Sequence, residues 1–145
     1  MVDLCCLVEG CGPLDLDEDS VMTLSKTEVR ADGSSIRASG STIKGHHNLI
    51  AALSSTIRGD YNNITGTDLA VKGSNNYICG KNITVLGHGN QVFGQTLVVS
   101  GVGNFACGIS IEVSGQGNKA VGEGIRAKGD KNIVIIDEVN PCTIV

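Results

Sequence analysis

Six cysteines and three histidines are the side chains here best suited to metal, redox or nucleophilic chemistry. Cys5, Cys6 and Cys11 form a Cys-Cys-x4-Cys cluster near one end, and Cys142 stands near the other. A zinc site would need a further ligand, and this spacing matches no recognised finger. His46 and His47 are adjacent and point in divergent directions, and His88 is remote from both. No carboxylate pair, nucleophile–base set or phosphate loop stands out. Gly87-His88-Gly89-Asn90 and Gly101-Val102-Gly103-Asn104 are glycine-rich, yet they are corners of an internal repeat rather than phosphate cradles. The expectation is no enzyme, no metal and no cofactor.

The elements that place these residues come from an internal repeat. Gly45, Gly59, Gly73, Gly87, Gly101, Gly115 and Gly129 are spaced by 14 residues. Three residues after each comes Asn48, Asn62, Asn76, Asn90, Asn104, Asn118 or Asn132. Aliphatic columns flank them, as in Ile43, Ile57, Val71 and Val85, or Ile50, Ile64, Ile78 and Val92. A second glycine column (Gly66, Gly80, Gly94, Gly108, Gly122) and a second aliphatic one (Leu69, Ile83, Leu97, Ile111, Ile125) lie half a period away. The unit is thus a doubled seven. Within each half the apolar positions are two apart, which is strand spacing and not helical spacing.

The fold expected is all-β: a single-domain parallel β-helix, or β-solenoid, of two-sided 14-residue coils, about eight to nine in number. Residues 1–28 read as an N-terminal cap and degenerate first coil, 29–140 as the solenoid and 141–145 as a C-terminal tail. Asp15-Leu16-Asp17-Glu18-Asp19 suits a solenoid end, where charge discourages edge-to-edge pairing. The asparagine column is expected inside, as a ladder of side-chain hydrogen bonds. Asn63-Ile64-Thr65 and Asn82-Ile83-Thr84 match a glycosylation pattern that the repeat generates by itself.

Over about two thirds of its length the chain resembles parallel β-solenoid proteins. It lacks the six-residue period of hexapeptide acyltransferases, the aspartate column of calcium-binding nonapeptide solenoids and the irregular loops of polysaccharide lyases. As a whole it also resembles small solenoid proteins of amoeba-infecting giant DNA viruses of the marseillevirus kind. That resemblance implies a particle component.

Outward positions form columns up the rod. On the asparagine side, Leu49, Tyr77, Phe105 and Ile133 share one column, while Cys79, Phe93, Cys107, Val121 and Ile135 share the next. Three of the four aromatics fall there. An apolar sheet face of this extent exceeds what a monomer normally exposes. Either a terminal segment folds over it or chains self-associate through it. Residues 1–14 and 141–145 look too short to cover seven coils, so these nine residues are expected to form a homo-oligomer interface, a trimer ahead of a dimer. Cys79 and Cys107 lie about 9.6 Å apart, too far to bond each other. They are expected to be small interface hydrophobes, and the terminal cysteines free or bridging chains.

On the other side Arg30, Lys44, Arg58 and Lys72 form a cationic ladder, resumed at Lys128. A nucleic acid or acidic glycan would meet such a row. A solvated face neutralised by Asp32, Asp60 and Asp68 is the competing expectation. Thr42, Thr56 and Thr84 would suit ice binding, but Ala70 and Val98 interrupt them. The net charge of −4 argues against a general attraction to nucleic acid or anionic membrane. The N-terminus carries no basic, apolar leader, and no run approaches membrane-span length. The expected location is the cytoplasm or a virion, with the chain itself, and other particle or scaffold proteins, as partners.

Overall fold

A computed structural model describes residues 14–16 and 21–137. Its described part is all-β with parallel pairing throughout, stacked as a solenoid of about eight turns. The lower coils are built of β1 (Leu14–Leu16), β2 (Val21–Ser25), β3 (Glu28–Ala31), β4 (Ser35–Ser39), β5 (Thr42–Lys44), β6 (Leu49–Leu53) and β7 (Thr56–Arg58). Four long strands follow: β8 (Asn63–Lys72), β9 (Tyr77–His88), β10 (Gln91–Val102) and β11 (Phe105–Gln116). Above them come β12 (Lys119–Glu123), β13 (Arg126–Lys128) and β14 (Ile133–Ile136).

Pairing from Val21 upward keeps an offset of 14, as in Val21↔Ser35, Ile64↔Ile78 and Val99↔Val113. The regular stack therefore begins at β2, earlier than residue 29. Below it the register shifts by one, with Leu14 opposite Val29. That shift takes β1 out of the 14-residue frame, whereas β2 is already in it. The rest of the acidic run (residues 17–19) with Ser20, residues 1–13, and 138–145 including the tail lie outside the described residues.

The inward residues alternate along each side and are aliphatic. Ile50, Ile57, Ile64, Ile78, Val85, Val92 and Val99 are all fully buried. No aromatic belongs to the core cluster, so the coil is only two small side chains thick. Each such residue contributes about 1.5–3 kcal/mol by leaving water. The sum grows with the number of coils, as expected of a quasi-one-dimensional fold.

Corners recur every seven residues. His47, Ser54, Tyr61, Asp68, Asn75 and Asn82 all adopt φ between 47° and 58°. The turning position is thus mostly not glycine. The glycine columns serve a different need, which Gly80 shows: a Cβ there would sit 1.7 Å from the carbonyl oxygen of Gly66 in the coil below. Only a residue without a side chain lets two coils approach at strand spacing at that point.

Candidate functional site

The two corners of a coil handle their backbone N–H groups differently. At the first corner the chain leaves the sheet, and a buried asparagine substitutes for the missing ladder. Asn62 N–H donates to Oδ1 of Asn76 at 2.9 Å, Asn76 N–H to Oδ1 of Asn90 at 2.9 Å, and so on up to Asn132. Each Nδ2 also donates to the next Oδ1 and to a carbonyl of the coil below, as Asn76 does to Gly59 at 2.9 Å. At the second corner the lower coils use Ser41 and Ser55: Ser41 N–H donates to the Ser55 hydroxyl oxygen at 3.3 Å. There the strands are broken, between β4 and β5 and between β6 and β7. Where Leu69, Ile83, Leu97 and Ile111 replace serine, β8 to β11 run through the corner unbroken.

These corners orient two unlike outer faces. On the asparagine side the expected columns are in register, Tyr77↔Gln91↔Phe105↔Lys119↔Ile133 and Cys79↔Phe93↔Cys107↔Val121↔Ile135. Diagonal neighbours bring the rings together: Tyr77 and Phe93 lie 5.1 Å apart, Phe93 and Phe105 5.8 Å, and Lys119 Nζ sits 5.9 Å over the Phe105 ring. Aromatic pairs at such distances gain about 0.5–1.5 kcal/mol beyond their burial. Leu49, Tyr77, Ile133 and Ile135 are 42–57% exposed. Phe93, Phe105, Val121 and Cys79 are half-buried.

Cys107 breaks the pattern. It is fully buried and yet stands outside the core cluster, and it is disulfide-bonded, where the sequence led us to expect a small hydrophobe at an interface. Cys79 is free. The spacing argument excluded only the Cys79–Cys107 pair, and Cys5, Cys6, Cys11 and Cys142 lie outside the described residues.

On the opposite side, Arg30↔Lys44↔Arg58↔Lys72 are register neighbours. The ladder stops at Leu86, 49% exposed. Lys44 pairs diagonally with Glu28, and Lys128 with Glu112 at 3.9 Å in the same relation. The hydrogen bond from Lys44, reinforced by its charge and those of Arg30 and Arg58, holds the Glu28 carboxyl below the usual range. Among the described residues Arg30, Arg58 and Lys72 enter no ion pair.

Among the described residues the corner acids make no ion pair with that ladder. Asp32 accepts from the N–H of His46 at 2.7 Å, Asp60 from that of Ser74 at 2.6 Å, and Asp68 from the Asn82 amide at 2.9 Å. They tie coil to coil, a role the sequence reading missed. His46 and His47 are structural as well: His46 Nδ1 accepts from Asp60 N–H at 3.2 Å, and His47 stacks on Tyr61 at 5.3 Å. Among the described residues no group of three His, Cys, Asp or Glu could hold a metal, and no helix is long and apolar enough to cross a membrane. No family model, curated protein or solved structure matches the chain.

Proposed function

We propose that this chain is a non-enzymatic assembly protein, a stiff solenoid rod that associates with its own copies through the apolar face of the asparagine side. The observation that carries the reading is the outward stripe through Tyr77, Phe93 and Phe105, with exposed Leu49, Ile133 and Ile135 below and above it. A parallel sheet is normally covered on its faces, and a stripe of this extent suits another chain better than water. Three chains around a common axis, in the cytoplasm or as part of a virion or scaffold, is the arrangement we favour. Phe93→Asp combined with Phe105→Asp should dissociate the oligomer while leaving the far-ultraviolet circular dichroism of the β-fold intact. An unchanged mass with both substitutions would sink the interface.

A second reading, polyanion binding along Arg30, Lys44, Arg58 and Lys72, draws on their register alignment and on Arg30, Arg58 and Lys72 entering no ion pair among the described residues. Against it, Lys44 is engaged with Glu28. Heparin or single-stranded DNA should then bind with a steep salt dependence that Lys44→Glu and Arg58→Glu abolish. No binding at low salt removes this reading.

A further inference from the structure

We propose that the cationic ladder takes a single-stranded nucleic acid, with phosphates along Arg30, Lys44, Arg58 and Lys72 and a base stacked on the His47–Tyr61 ring pair. This narrows the polyanion reading above and rests on it. The ladder runs just before the first corner of each coil. His47 and Tyr61 stand at that corner, three residues beyond Lys44 and Arg58 respectively. Three residues span at most about 10 Å, a gap that one nucleotide bridges from phosphate to base.

The ring pair has the geometry of a base step. Its centroids are 5.3 Å apart and its planes are inclined by only 9°. Both residues are exposed, Tyr61 by 57%. Below His47 the same position of the coil is Gly33, whose N–H bonds the carbonyl of His46 at 3.0 Å. The column therefore offers no side chain under the imidazole, and a planar ring of a ligand can take that place. Arg30 belongs to the coil of Gly33 and Lys44 to that of His47, so a base there has a cation beside it on either coil.

The local charge favours a base over a ligand held by charge alone. The four cations stand near three carboxylates, those of Glu28, Asp32 and Asp60. Glu28 holds Lys44, and the two aspartates accept backbone N–H groups of the next coil. So small an excess of positive charge gives a bare polyanion little. A base adds stacking, which needs no charge and tolerates any sequence. In a duplex both faces of each base are already covered, which leaves a single strand. The three steps of the ladder span about 14 Å, room for about four phosphates of a stacked strand.

The test measures binding to the full chain by fluorescence anisotropy at low salt. The labelled probes are oligothymidylate, an abasic oligodeoxynucleotide of the same length and a heparin oligosaccharide. Oligothymidylate should bind about tenfold more tightly than the abasic strand. His47→Asn with Tyr61→Asn should remove that preference, so that both strands bind alike. Both residues have φ of 58°, a conformation that asparagine tolerates and that Asn75 adopts at the same position one coil higher. His47→Phe with Tyr61→Phe should keep the preference, since the rings remain. An abasic strand bound as tightly as oligothymidylate, or a preference that survives the asparagine pair, overturns the stacking and leaves the ladder reading standing. Binding of heparin alone overturns it in favour of an acidic glycan. Binding of none of the probes removes both readings.

Discussion

The two corners of each coil face one problem, an N–H group leaving the sheet, and solve it by opposite means. The first corner carries a buried asparagine whose side chain bonds the coil below and the coil above. The second corner, from Leu69 to Ile111, carries an aliphatic residue and keeps the strand intact. In the lower coils Ser41 and Ser55 show the intermediate solution, a side-chain bond with a broken strand. Strand continuity and the polarity of the corner residue are therefore two expressions of a single choice. A buried amide is tolerated only where the ladder below and above it is complete, because one missing partner strands several polar groups.

The largest effect should come from the closeness of the coils themselves. Gly80→Ala forces a Cβ into the Gly66 carbonyl, and we expect a loss above about 4 kcal/mol or no folding at all, read by urea denaturation. Gly103→Ala is the contrasting case at a first corner. Nothing lies within 4 Å of its added Cβ, but φ is +64°, so the expected cost is about 1 kcal/mol. Equal losses at the two sites would mean that backbone conformation, not coil contact, sets the glycine columns.

The next largest tests whether the corners are interchangeable. Asn76→Ile places at the first corner the residue type that Ile83 supplies at the second. It leaves Asn62 N–H and the Gly59 carbonyl unpaired, and the expected loss is about 2–4 kcal/mol. A loss below about 0.5 kcal/mol would show that the asparagine ladder is incidental.

The smallest effect concerns the cationic side. Glu28 should titrate below the ordinary glutamate value by nuclear magnetic resonance, and Lys44→Met should raise it again, because the hydrogen bond from Lys44 is the chief cause of the shift. Since its folded value is lowered, its contribution is present above the ordinary carboxylate pKa and is lost as pH falls through the folded one. Added salt should weaken it, as for any exposed pair.

Much of this was legible because the repeat has a rigid period. The 14-residue spacing of Gly45 to Gly129 sets register, and register sets which residues face out, so the Tyr77–Phe93–Phe105 stripe and the Arg30–Lys72 ladder follow by counting. What counting does not reach is chemistry between unlike columns. The pairing of Glu28 with Lys44 crosses columns at a separation of 16, and Asp32 and Asp60 spend their carboxylates on backbone N–H groups of the next coil. The bond at Cys107 was hidden for a different reason: its partner lies outside the repeat, where periodicity says nothing.

The central claim is that the apolar face exists to meet another copy. Light scattering on the full chain at tens of micromolar tests it most directly. The account predicts a mass close to three times the 15.0 kDa of one chain. A mass of one chain across that concentration range would contradict it.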